Sequence, residues 1–188
     1  MPQAKTLTQG EIRQVLGAIA LHPHAARNRA MFLTSLWAGL RVGEIAALRY
    51  CDVVGPNGRV LAEVRLLPEQ TKGRYGRTVY LNERLQRELA DYVRKYPTQQ
   101  PSDPLFYTQK RAGFTRNTLA QHFHKIYKWA ELTGASSHSG RRTFCTSLAA
   151  AGVGIRVLQS LAGHRSIQTT ARYIDVNDDM KRKAIELA

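Results

Sequence analysis

Tyr173 lies nine positions after His164 of a Gly163-His164 pair and fifteen before the C-terminus. Upstream stands His138-Ser139-Gly140-Arg141, and further back lie Arg41 and Lys72. A phenol, two imidazoles, two guanidiniums and an amine could together perform nucleophilic attack on a phosphate, with the phenol as nucleophile. Taken singly, Tyr173 reads as a packed aromatic and each arginine as a surface residue. The six fall in four stretches far apart in sequence, so no local structural reason groups all of them.

Composition fits a phosphate-bearing partner. The formal net charge is +14, and 20 of the 28 basic residues are arginine. Arginine binds phosphate and base edges bidentately, which lysine does not. The basic residues are spread along the chain, from Lys5 to Lys183, as in a folded domain with a basic face rather than a charged tail. Nucleic acid is the expected partner; a merely soluble basic protein is the plainer alternative. At 188 residues with 43% hydrophobic content, the chain is expected to form one domain with a real core. It contains no apolar run of membrane-spanning length, and no apolar signal region follows Met1-Pro2-Gln3. A cytoplasmic setting is expected. The two cysteines, Cys51 and Cys145, form no metal pattern and are expected as buried or half-buried thiols.

The elements that must position these groups are mostly helical. Thr8-Gln9-Gly10-Glu11 is a capping box ahead of Ile12, Val15, Leu16 and Ile19. A second helix is predicted from Ala25 to Ala38, stopped by Gly39, and a short one from Arg41 through Leu48. Alternation from Val60 to Leu66 and again from Arg77 to Leu81 predicts a small antiparallel sheet with Lys72 on or beside its turn. Asn82 is the cap of a helix reaching Tyr96. Leu105-Phe106-Tyr107 reads as extended, and Asn117 to Leu132 as a helix carrying Phe123 and Tyr127 at core spacing. Ser139 is expected to cap a helix ending at Gly152. Ile155 to Ala162 follows, closed by Gly163, and Ser166 caps a short helix carrying Tyr173. A last helix is predicted from Asp178 to Leu187. The fold class is therefore mainly α with one small antiparallel sheet (α+β).

In this order the boxes resemble those of the tyrosine recombinase (phage integrase) family. Ala38-Gly39-Leu40-Arg41-Val42-Gly43-Glu44-Ile45 is similar to its first arginine box, and Thr71-Lys72-Gly73 to its β-hairpin lysine. His138-Ser139-Gly140-Arg141-Arg142-Thr143-Phe144 resembles its His-x-x-Arg box. Leu161-Ala162-Gly163-His164 and Tyr173 resemble its Gly-His and nucleophile box. Each box alone is unspecific; the ordered set spans residues 38 to 173. Gly140 stands where the family often carries a larger apolar residue, and is expected to loosen the first turn of its helix.

The resemblance implies a tyrosine recombinase catalytic fold and a 3′-phosphotyrosyl intermediate. A phenol of pKa about 10 can attack a phosphodiester once it is aimed and the developing charge is stabilised. Arg41 and Arg141 would hold the non-bridging oxygens, a clamp that replaces a metal ion. No metal or nucleotide cofactor is implied. The leaving 5′-oxygen needs a proton, and Lys72 is the titratable donor where its rivals Arg74 and Arg77 are not. His138 would be a general base towards Tyr173 or a phosphate donor, and His164 a phosphate donor. Glu44, one turn after Arg41, would orient the basic groups. Arg142 and Arg172 read as surface residues or DNA-backbone contacts.

The implied partner is double-stranded DNA, with four protomers acting on two sites. The catalytic core is expected over about residues 8–174, with 175–188 as a tail that docks on a neighbouring protomer through Met180, Ile185 and Leu187. The family's N-terminal DNA-clamping domain is expected to be absent, because the catalytic fold starts at about Thr8; the chain is then expected to be either a fragment or akin to the family's short single-domain members. Two alternatives stay open: a type IB topoisomerase using the same residues, and a non-catalytic DNA-binding relative.

Overall fold

The computed structural model describes residues 4–71, 73–98, 100–110, 112–174, 181–182 and 185–186. Lys72 lies outside them, and so does most of the predicted last helix, including Met180 and Leu187.

Helix α1 (Gln9–Ala20) opens as predicted. Thr8 Oγ1 accepts from the Glu11 amide, and the Glu11 carboxylate accepts from the Thr8 amide. Helix α2 (Ala25–Trp37) is the central element, with every residue from Ala30 to Leu36 buried. Helices α1, α5 (Glu83–Lys95) and α7 (Ser139–Ala150) all pack against it. Gly39 ends α2 with φ of +63°, and a Cβ there would fall 2.4 Å from the Phe144 ring. Only glycine satisfies both demands, and the sharp exit it permits aims Arg41 at the site. Arg41 then stands at the N-cap of α3 (Val42–Ala47), which packs on α6 (Arg116–Trp129).

The predicted sheet is present but shorter. Strand β1 (Glu63–Leu66) pairs antiparallel with β2 (Arg77–Tyr80), with Val64 opposite Val79. Val60 does not extend β1. The turn at Gly55 to Arg59 folds the chain back, and Val60 bridges Val54 instead. A single-turn helix α4 (Tyr50–Val53) precedes that turn and has no periodic signal in the sequence. Leu105-Phe106-Tyr107 is not a strand; it is flanked by isolated bridges, Arg49 to Pro104 and Tyr107 to Gly113.

Three boundaries differ from expectation for local reasons. Helix α6 stops at Trp129 because Glu131 takes a left-handed conformation, φ +52°, which no helix can continue. Ser139 is the first residue of α7 and not its cap: the chain arrives through a tight turn in which the Ser139 amide donates to Ser136 O and Ser139 Oγ accepts from the Ser136 amide. His138 takes the cap position. Tyr173 lies just past α9 (Ile167–Ala171), in a turn closed by its amide donating to Thr170 O.

Gly140 does not loosen α7. A Cβ there would lie 2.6 Å from Ser35 Oγ and 3.3 Å from the Leu36 amide, so its absence lets α7 seat directly on α2. Cys145 is buried as expected, whereas Cys51 is exposed on α4, whose inward position is taken by Val53. No described helix is long and apolar enough to cross a membrane.

Candidate active site

The site is organised around the C-terminal end of α8 (Ile155–Ala162), where a helix leaves carbonyls without intrahelical partners and carries partial negative charge. Three arginines from three other elements meet three consecutive carbonyls there. Arg77 of β2 donates to Leu161 O at 3.0 Å, Arg141 of α7 to Ala162 O at 2.5 Å, and Arg41 to Gly163 O at 3.1 Å. Arg141 also donates to Gly39 O at 2.5 Å, tying the two glycine turns together. Gly163 has φ of +61°, and a Cβ there would fall 2.4 Å from Arg77 Cδ. The Gly-His box thus needs its glycine for both backbone conformation and arginine access.

Glu44 lies beneath this layer, its side chain 1% exposed. It accepts from the Arg41 amide at 2.8 Å, from Arg41 Nη1 at 2.9 Å and from Arg77 Nη2 at 2.9 Å. Burial alone would raise its carboxyl pKa. The Arg77 charge, the Arg41 amide, and the Arg41 and Arg141 charges outweigh burial and hold it below the usual carboxylate range. Glu44 is therefore a fixed anion that orients two of the three arginines. Burial, then the neighbouring Arg41, lower Arg141 to about 10, so it stays protonated at neutral pH.

His164 is 8% exposed, with Nδ1 3.0 Å from Thr170 Oγ1. Burial, reinforced by the Arg141, Arg41 and Arg77 charges, lowers it to about 4, so the imidazole is neutral at pH 7. The Thr170 hydroxyl can donate to Nδ1, which leaves Nε2 protonated and able to donate outward. The Tyr173 ring lies parallel to the His164 ring, with centroids 5.6 Å apart and planes at 7°. His138 is exposed at the N-terminus of α7.

Arg41, His138, Arg141, His164 and Tyr173 line one open cleft of about 320 Å³, together with Arg142 and Arg172. Five of the six sequence-predicted groups are thus brought together. The sixth, Lys72, lies outside the described residues. Its chain neighbours Thr71 and Gly73 line an adjoining pocket of about 380 Å³, shared with Arg41, Arg77 and His164. Four arginines in the lining, Arg41, Arg141, Arg142 and Arg172, concentrate positive charge that can hold an oxyanion.

Two supporting residues escaped the sequence reading. Arg77 reads in the sequence only as a rival to Lys72, yet alternation puts Arg77, Val79 and Leu81 on one strand face, and the latter two are buried. That period was the signal for a buried arginine. Thr170 had no signal, because its role depends on the turn that brings His164 back over α9. Two of the other histidines serve packing: His22 stacks on Trp129, and His122 bonds Asn28 Oδ1 at 2.9 Å.

A sequence profile described as "Phage integrase family" matches residues 5–180. Tyrosine recombinase XerC of Caldanaerobacter subterraneus is 31% identical over 184 residues, covering 95% of this chain and 49% of that protein. Tyrosine recombinase XerA of Thermococcus kodakarensis is 28% identical over 186 residues, covering 98% of this chain and 62% of that protein. The crystal structure of XerA recombinase superposes with a TM-score of 0.76 at 25% identity, covering 100% of this chain and 63% of that one. The Tn1549 transposon integrase, solved with circular intermediate DNA, shares the fold with a TM-score of 0.77 at 21% identity, covering 100% of this chain and 68% of that one. The chain spans about half to two-thirds of the length of these proteins.

Proposed function

Since the chain belongs to the phage integrase family, we propose that it is the catalytic part of a site-specific tyrosine recombinase that cleaves and rejoins double-stranded DNA. The observation that carries this reading is the convergence of Arg41, His138, Arg141, His164 and Tyr173 on one cleft.

Tyr173 Oη attacks the scissile phosphorus. The new bond is a 3′-phosphotyrosyl ester, and the bond from phosphorus to the 5′-oxygen breaks. The free guanidinium N–H groups of Arg41 and Arg141 receive the charge that builds on the non-bridging oxygens. Their other N–H groups are already committed to Gly163 O, Ala162 O and Gly39 O, so little reorganisation accompanies the reaction. His164 adds a neutral donor. His138 takes the phenolic proton or donates to the phosphate, and Lys72 gives a proton to the departing 5′-oxygen. Attack by a 5′-hydroxyl from another duplex reverses the step and releases Tyr173. The ester bond is conserved throughout, so no nucleotide is consumed.

Most duplex affinity should come from phosphate contacts and fall with salt. The DNA complex of the Tn1549 integrase supports a DNA substrate, and the recombinase and integrase names of the relatives favour strand exchange over relaxation alone. Assembly as four protomers on two sites, with the segment after Ile174 docking on a neighbour, belongs to the same proposal. The test is a nicked duplex that loses a short strand on cleavage and traps the intermediate. A covalent protein–DNA adduct is expected with the native chain and none with Tyr173→Phe. An adduct of equal yield in the variant would remove Tyr173 as nucleophile.

A further inference from the structure

We infer that Arg142 is a positioning residue for Tyr173 and that its own position is set by Thr6 on the segment entering the domain. The inference rests on Tyr173 being the nucleophile. Arg142 has the sequence reading of a surface or DNA-backbone arginine, but it is half-buried and its guanidinium carbon lies over the Tyr173 ring, 5.6 Å from the centroid. A cation in that place attracts the ring face and limits where the phenol can swing. The parallel His164 ring is a second restraint on it, and apolar packing against the cluster of Cys145, Ala149, Leu158 and Ala162 is a third.

The guanidinium is itself held. Arg142 Nε donates to Thr6 Oγ1 at 3.0 Å. Thr6 lies on an extended segment fastened on both sides: the Lys5 amide donates to Gly134 O at 3.3 Å, and the Leu7 amide to Thr143 Oγ1 at 2.8 Å, with Leu7 buried. Ala4 of the same segment reaches the lining of the catalytic cleft. A continuous set of contacts therefore runs from residues 4–7 through Arg142 to Tyr173. Whatever moves this segment moves the arginine, and with it the aim of the phenol. The segment is thus the mechanical input through which chain preceding it can act on the nucleophile. Arg41 and Arg141, anchored on α8, do not share this path.

Two measurements on the full chain test this. The first is the rate of adduct formation on the nicked duplex at saturating protein, alongside duplex affinity across a salt series. Arg142→Ala should slow cleavage about tenfold and Thr6→Val about threefold, with affinity and salt slope unchanged. Thr6→Ser, which keeps the hydroxyl, should retain the native rate. If Arg142→Ala instead weakens binding and reduces the salt slope by about one at an unchanged cleavage rate, Arg142 is a phosphate contact and the inference fails. The second needs no activity: aromatic NMR spectra of chain labelled in tyrosine, with the Tyr173 signal assigned by its loss in Tyr173→Phe. Thr6→Val should move the Tyr173 ring resonances and leave those of Tyr92 and Tyr127 in place. Unmoved Tyr173 resonances in both Thr6→Val and Arg142→Ala overturn the inference. An absent adduct in the native chain would instead count against the recombinase reading, while the spectra still decide the contact.

Discussion

On the arginine side of the cleft, Glu44 and Arg141 are buried, Arg77 nearly so, and they are bonded to one another's elements and to the end of α8. On the tyrosine side, His138 and Arg172 are exposed, and Tyr173 follows a helix of five residues whose main packing partner is α8. One wall is a fixed polar network; the other is held by ring contacts, a single turn and the packing of Tyr173 and Ile174 on a small apolar cluster. The difference matches the two tasks that the proposed reaction would set. Groups that stabilise transition-state charge act best when preorganised, because reorienting dipoles during the reaction cancels their benefit. A nucleophile that becomes covalently joined to DNA and is later released must change its surroundings during the cycle.

Four changes would break or sharpen that contrast. Glu44→Ala should have the largest effect on stability, about 3–5 kcal/mol, because it leaves Arg41 and Arg77 as uncompensated charges around a buried hole. Urea denaturation measures this, and a loss below about 1 kcal/mol would mean the arginine wall is not a buried network. Arg141→Lys keeps the charge but cannot serve Gly39 O, Ala162 O and a phosphate together. Single-turnover cleavage should fall about 10²–10³-fold. His138→Ala, on the exposed wall, should change stability by less than about 0.5 kcal/mol while still slowing cleavage. Gly140→Ala should cost about 1–3 kcal/mol by pushing α7 away from Ser35 and Leu36, seen as a lower thermal midpoint.

The pH dependence adds a further prediction, in which His164 and Glu44 act in one direction. His164 has its folded pKa lowered to about 4, below the unfolded value of about 6.5, so the unfolded chain binds more protons between these limits. Stability is complete above about pH 6.5 and declines as pH falls toward 4. Glu44, also lowered, adds a contribution that is complete above the unfolded carboxyl value of about 4.3 and is lost below it. Replacing His164 with Gln should flatten the upper part of this decline in a pH series of denaturation midpoints.

The same contrast explains what could be read in the sequence. Helix starts at Thr8 and Asn82 and stops at Gly39 and Gly163 are set within a few residues, so their signals are local and legible. Arg41, Arg141 and Tyr173 were picked out by the ordered boxes that resemble the family's, and the fold brings all three to one cleft. The contacts of Arg77 and Gly140 were not legible, because they depend on α8 and α2, which reach these residues only through the tertiary fold. Val60 and the residues after Trp129 failed for another reason: their apolar spacing continues past a turn that the backbone must take.

The central claim, that Tyr173 joins the DNA, is tested most directly by mapping the trapped adduct. Tryptic digestion after nuclease trimming should leave a nucleotide on the peptide that begins at Tyr173 and ends at Lys181, linked through a 3′-phosphate and resistant to exchange in denaturant. The account predicts that mass on Tyr173 alone. A nucleotide found on a serine, on a histidine or on any of the other seven tyrosines would contradict it.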